Sequence, residues 1–359
     1  MPTLWIPGPT EVKPELLAAQ TRPMIGHRSA EYATHHASIE ERLKKVLFTD
    51  NRVFVGTCSA TGMIEAALRN AVQKKVLVLN NGFFAKKWAT IAEQCGIRAT
   101  RLDYELGQAV KSQDVKKFLE NDPEIDAVFL THSETSTGVL SPLAEIAAVI
   151  QKFPKVVLLV DTVSSFAAAE IRTDAWGVDL VLFGMQKALA LPAGLAICAV
   201  SPEIMRRSAG QPVGHKGHYF DFMLWEKAAQ KANTIVTPAI SLLFALDKQL
   251  DHLLAEGMEK RWARHTEMSR LTQEWAAKHG LKYFSEANYH SPAVSVICNE
   301  QKWDLAKLNS ELAAKYNCII ANGYKDLKNK TFRIGHMGDH TPANLRKLLA
   351  QIDSIVADF

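Results

Sequence analysis

Five short runs that are apolar almost from end to end constrain this fold more than anything else in the chain. They are VLVLN (Val76–Asn80), AVFLTH (Ala127–His132), VVLLVD (Val156–Asp161), LVLFG (Leu180–Gly184) and LAICAV (Leu195–Val200). A strand with one wet face alternates apolar and polar residues, so a run without alternation is buried on both faces. Helical periodicity fills the spaces between such runs, over Ala30–Leu47, Gly62–Val72, Ala85–Cys95 and Ser141–Gln151. A further β-rich stretch, Val53–Val55, ends at Gly56. Strands alternating with helices imply a parallel sheet covered on both faces. Sheets of that kind build their sites at the carboxyl ends of the strands.

From about Pro238 to Trp275 the pattern is one long helix laced with charge. After it, Leu281–Phe359 mixes helices and strands: AVSVICN, a helix over Asp304–Lys315, CIIANG, TFRIGH and a last helix over Pro342–Val356. The expected organisation is a large α/β domain, residues 1–250 with an N-terminal arm, and a small α+β domain, residues 251–359. The length of 359 residues suits two such units.

A net charge of +4, with no block of basic residues interleaved with aromatics, argues against nucleic acid and for a site that takes small anions. Five scattered cysteines without a C-x-x-C pair fit neither a disulfide framework nor a structural zinc site. Prolines and acids occupy the N-terminus where a signal peptide needs an apolar run, and the apolar stretch around Leu189–Val200 is too short for a bilayer. A cytoplasmic protein is the expectation. The histidine pairs His35–His36, His215–His218 and His336–His340 match no zinc motif, so no metal is expected.

The strand ends carry the chemistry. Gly56-Thr57-Cys58-Ser59-Ala60-Thr61-Gly62 opens directly into a helix. Small and hydroxyl residues there can cradle a phosphate with free backbone N–H groups, or simply cap the helix. VVLLVD ends on Asp161, and LVLFG runs into Gly184-Met185-Gln186-Lys187, which puts an amine at the next strand end. A carboxylate and a lysine at adjacent strand ends can form a plain salt bridge. Beside a phosphate cradle they also meet the needs of pyridoxal 5′-phosphate: an amine for its aldehyde and an anion for its ring nitrogen.

These segments, with PGPTEVKPELL, GTCSATGMIEAAL, LNNGFFAKKW, LTHSETSTGVLSPL, VDTVSSFAA, NTIVTPAISLLFALD and FRIGHMGD in the same order, resemble the class V aminotransferases of the alanine–glyoxylate and serine–pyruvate type. The resemblance covers nearly the whole chain. It implies fold type I, with a mostly parallel sheet of the seven-stranded type between helices, and transfer of an amino group from a small amino acid to a 2-oxo acid. It implies that Lys187 carries the cofactor as a Schiff base and shuttles a proton. Asp161 would pair with the pyridine nitrogen and Val163 would pack under the ring. Ser59, Ala60, Thr61 and Gln186 would hold the phosphate, and Ser136 the ring hydroxyl oxygen. Phe84, or its neighbour Phe83, would stack on the ring. Arg333 would bind the substrate α-carboxylate, and Gly8 would line the entrance. Asn233 and Thr234 would reach the phosphate of the other subunit of a homodimer.

Two features depart from this pattern. Ala60 stands where relatives often have glycine. Gly26-His27-Arg28-Ser29 is similar to a segment of phosphoserine aminotransferases in which His27 and Arg28 would hold a substrate phosphate. Phosphoserine:2-oxoglutarate transamination is thus the alternative, against a merely structural Arg28. A PLP lyase of the cysteine desulfurase kind needs a mobile cysteine, and Cys298 and Cys318 both sit in apolar strand-like runs.

Overall fold

A computed structural model describes residues 2–212 and 214–357. Its main feature is a seven-stranded sheet in the order Arg52–Gly56, Ala196–Val200, Leu180–Gly184, Val157–Asp161, Ala127–Thr131, Lys75–Asn80, Arg98–Asp103. The four strands Ala127–Thr131, Val157–Asp161, Leu180–Gly184 and Ala196–Val200 are buried at every residue. The apolar runs therefore mark the middle of the sheet, with helices on both faces as the alternation requires. Three of the helices start on serine caps: Ser29 accepts the N–H of Tyr32, Ser59 that of Gly62 and Ser201 that of Ile204.

The sheet departs from an all-parallel one at a single strand. Ala196–Val200 runs antiparallel to both neighbours, Arg52–Gly56 and Leu180–Gly184. Only residues 185–195 connect it to the strand before, and they form no helix. A parallel return needs a crossover of a dozen residues or more, so this connection turns the chain straight back. At the opposite edge lies Arg98–Asp103, a strand the sequence reading missed. It is mostly polar because one side has no partner.

The stretch read as one long helix is two, Ile240–Glu256 and Met258–Lys278. They part at Gly257, whose φ of 80° lies in the left-handed region that favours glycine. Beyond them a four-stranded sheet in the order Thr3–Trp5, Cys318–Asn322, Thr331–Gly335, Val294–Cys298 packs against the Leu305–Tyr316 and Pro342–Val356 helices. Its first strand comes from the N-terminus and pairs in parallel with Cys318–Asn322. The chain then passes from this small sheet to the carboxyl ends of the large one through Gly8, Pro9 and Thr10. Among the described residues no helix is long and apolar enough to cross a membrane.

Candidate active site

The carboxyl ends of the large sheet open onto one cavity of about 160 Å³. The loop into the Ala60–Ala71 helix supplies Ser59, Ala60 and Thr61. The segment after Ala127–Thr131 supplies Ser133 and Thr135. The loop after Val157–Asp161 supplies Val163 and Ser164 beside Asp161 itself. Gln186 and Lys187 follow Leu180–Gly184, and the start of the Phe83–Gln94 helix adds Phe84, Lys87 and Trp88.

Lys187 Nζ donates to Ser164 Oγ at 2.8 Å and to Thr135 Oγ1 at 3.1 Å. It stands 5.2 Å from the centroid of the Phe84 ring. Burial pushes its pKa down, while the negative charges of Asp161 and Glu134 pull it back up. Asp161 shows the mirror effect: burial raises its carboxyl pKa, and the Val163 N–H at 2.7 Å and the Lys187 charge oppose the rise. Each group thus has the other as its main electrostatic counterpart, at a site removed from bulk solvent where charge interacts more strongly than in water.

The backbone around Lys187 is held carbonyl by carbonyl. Thr10 donates its N–H to Gln186 O at 3.0 Å and its hydroxyl to Lys187 O at 2.9 Å. Arg261, 1% exposed, donates to Ala188 O at 2.9 Å, and Gln249 donates to Leu189 O at 2.7 Å. Gly8 leaves room for the lysine. It sits at φ 104°, and a Cβ there would lie 2.9 Å from Lys187 Cγ. The N-terminal arm and both long helices therefore converge on the Gln186–Leu189 backbone that carries the Lys187 side chain.

The small sheet reaches over from the other side. Arg333 donates Nε to Asn322 O at 2.9 Å and Nη1 to Thr135 O at 3.4 Å. Its guanidinium lies 5.6 Å from the Tyr324 ring, and that ring stacks on Phe84 at 5.2 Å and 23°. Burial lowers the pKa of Arg333 from that of free arginine, and Tyr324 and Glu134 oppose the shift. Phe84 lines the cavity, whereas Phe83 meets Tyr324 edge-on outside it. Of the two aromatics the sequence offers, Phe84 is the one placed to meet a ring.

Ser136 is not placed as expected. Thr131, Ser133 and Thr135 line the cavity in strand-like alternation, so Ser136 faces the other way. Its hydroxyl donates to Glu134 Oε1 at 2.6 Å, and the hydroxyl beside Lys187 is that of Thr135. Asn233 and Thr234 also lie outside this cavity. They line a separate cleft with Arg28, His218, Lys227 and Lys231. His27 and Arg28 do not reach Lys187 within this chain either. Cys298 and Cys318 sit in the small sheet and are absent from the cavity wall. No group of three or more His, Cys, Asp or Glu side chains among the described residues is placed to hold a metal ion.

Sequence reasoning overlooked Thr10, Lys87, Glu134, Thr135, Ser164 and Tyr324. Two of these left a signal. Thr135 shares the parity of Thr131 and Ser133, and Lys87 is one helical turn after Phe84. Glu134 is fully buried: Oε2 accepts the N–H groups of Phe84 and Ala85 at 3.0 and 2.9 Å. It caps from outside a helix whose own N-cap is the side-chain-less Gly82.

Residues 13–325 match the family described as aminotransferase class-V. An uncharacterised aminotransferase of Methanocaldococcus jannaschii is 36% identical over 93% of this chain and 87% of that protein. The serine–glyoxylate aminotransferase of Methylorubrum extorquens is 31% identical over 99% of this chain and 91% of its own length. A solved alanine–glyoxylate aminotransferase from Nostoc superposes with a TM-score of 0.93 at 26% identity, covering 99% of this chain and 95% of that one. With these similarities spanning nearly its whole length, and with its fold that of fold-type-I enzymes, the chain belongs to the class V aminotransferases.

Proposed function

We propose that this protein binds pyridoxal phosphate on Lys187 and transfers the amino group of a small amino acid, serine or alanine, to glyoxylate or a similar 2-oxo acid. The observation that carries this is half-buried Lys187 sharing, with buried Asp161, a cavity that also holds a hydroxyl-rich helix N-terminus. The fit of the cofactor is supported by the donor set. The wall offers an amine, a carboxylate for a ring nitrogen, the Phe84 face for a ring, and Ser59 and Thr61 for a phosphate. The absent Cβ of Gly8 keeps the lysine side chain clear. The acceptor and the serine or alanine donor are those in the names of the relatives.

When bound, the cofactor supplies an electron sink that weakens bonds at the substrate α-carbon. The chain supplies the rest. Lys187 Nζ is the amine that would hold the cofactor aldehyde, and it would also serve as the base that moves the α-proton. Burial lowers its pKa, which favours the neutral amine that both tasks need. Ser164 and Thr135 orient that nitrogen through the two hydrogen bonds it makes. Asp161 keeps a proton on the ring nitrogen through its negative charge. Arg333 holds the α-carboxylate, a planar cation meeting a planar anion.

The same reading makes the active form a homodimer. Asn233 and Thr234, outside their own chain's cavity, would serve the partner's, with Arg28 beside them. The test is direct. Purified protein is mixed in turn with serine, alanine, aspartate and phosphoserine plus glyoxylate, and glycine formation is measured for wild type and Lys187→Ala. Serine or alanine should be the best donor, and the variant should be inert and lack a borohydride-reducible cofactor. Turnover by Lys187→Ala would overturn the assignment, and a marked preference for phosphoserine would overturn the donor. Sedimentation showing a fully active monomer would overturn the shared sites.

A further inference from the structure

A phosphate ester carries between one and two negative charges at neutral pH, and the wall assigned to it is almost neutral. Ser59, Ala60, Thr61 and Gln186 bring hydroxyls, an amide and backbone N–H groups. The N-terminus of the Ala60–Ala71 helix adds roughly half a positive charge. Within one chain, this inventory holds no full cation. Two lysines line the cavity, Lys187 and Lys87. Lys187 Nζ is directed to Ser164 and Thr135, and the cofactor aldehyde claims it.

Resting on the cofactor reading above, we propose that Lys87 is the cation that binds the cofactor phosphate. Its Nζ donates to Thr61 Oγ1 at 3.2 Å, so it already stands at the hydroxyl of the phosphate cup. It has no carboxylate partner among the described residues, so its charge is available. Its position on the helix explains the direction. Phe84 and Lys87 are three residues apart on the Phe83–Gln94 helix and share a face. Phe84 meets the ring, and Lys87, one turn on, reaches the group attached to that ring. Trp88, on the same face, donates Nε1–H to Thr131 Oγ1 at 2.8 Å and fixes the helix against the sheet. Lys86 and Lys87 are both exposed, and of the two only Lys87 lines the cavity. Lys87 is therefore a binding residue for an organic phosphate, with no part in bond breaking.

The experiment compares two ligands that differ only in the phosphate. Apoprotein of wild type, Lys87→Met and Lys87→Arg is titrated with pyridoxal phosphate and with pyridoxal, following tryptophan fluorescence. Circular dichroism checks the fold of each variant. Lys87→Met should weaken pyridoxal phosphate by about 10–100-fold, the scale of one charge-assisted hydrogen bond, and leave pyridoxal within about twofold. Lys87→Arg should restore most of the loss, and added salt should narrow the gap between wild type and Lys87→Met. Unchanged binding of pyridoxal phosphate by Lys87→Met, or equal weakening of both ligands, overturns the proposal while the cofactor reading stands. A wild type that fails to bind pyridoxal phosphate at one per chain overturns both.

Discussion

Replacing Glu134 by glutamine changes one atom type at the most heavily loaded carboxylate of the site. Oε2 accepts the backbone N–H groups of Phe84 and Ala85, and Oε1 accepts the backbone N–H and the hydroxyl of Ser136 at 3.0 and 2.6 Å. Phe84 and Ala85 lie in the first turn of their helix, where N–H groups have no intrahelical acceptor. Glutamine offers one oxygen and one NH2. If the oxygen faces the helix, the NH2 meets the Ser136 N–H. If the NH2 faces the helix, two N–H groups are orphaned. The better orientation still loses charge assistance on two bonds, about 2 kcal/mol, and leaves one buried donor unpaired, about 1–3 kcal/mol. The share of this loss that falls on the helix, about 2 kcal/mol on the Phe84 and Ala85 bonds, should make the start of the Phe83–Gln94 helix open about 30-fold more often, since each 1.4 kcal/mol is about tenfold. Hydrogen–deuterium exchange of a peptide covering residues 81–90 reads this directly. Exchange of the Phe84 and Ala85 amides should accelerate by that factor while the Val157–Asp161 strand keeps its protection. Because Phe84 rides on this turn, cofactor affinity should fall with it. Unchanged exchange at both amides would show that Glu134 does not hold the helix.

Three further outcomes follow from the geometry. On the proposed cofactor reading, Asp161→Asn should leave the thermal melt near wild type and lower kcat by about 100-fold or more, because the charge that would face the ring nitrogen is lost; a kcat within a few-fold of wild type would refute the pairing. Gly8→Ala forces a side chain into φ 104° and against Lys187 Cγ; it should cost about 1–2 kcal/mol of stability and depress kcat, and a fully active, equally stable variant would remove Gly8 from the site. His336 is fully buried, and burial pulls its pKa from 6.5 to about 3, so the unfolded chain takes up a proton first as pH falls. Its contribution is intact above about pH 6.5 and is lost on acidification towards pH 3. At pH 5 the loss is about 2 kcal/mol. Denaturant titrations at pH 7 and pH 5 should show that His336→Asn is less acid-sensitive than wild type; equal sensitivity would contradict this account.

Much of this protein is written locally. A run such as VVLLVD needs no partner to declare itself a doubly buried strand, because only burial on both faces tolerates five apolar residues in succession. Asp161 and Lys187 are legible for the same reason: each follows such a run, and the end of a buried strand is where polar groups return. The small C-terminal sheet was equally readable from CIIANG and TFRIGH. What the tertiary structure decided is which faces and edges meet. Ser136 and Thr135 are both hydroxyls in one motif, and only the pleat of the neighbouring segment determines that Thr135 looks at Lys187. Ala196–Val200 reads like its parallel neighbours, yet it reverses because the connection before it is too short for a crossover. Gly257 splits a continuous periodic pattern through one backbone angle. Thr10, Arg261 and Arg333 lie far from Lys187 along the chain and meet its surroundings only in space. Periodicity records whether a residue is buried. It carries no record of the distant element that buries it, and that pairing is settled only when the N-terminal arm, the long helices and the two sheets close on one another.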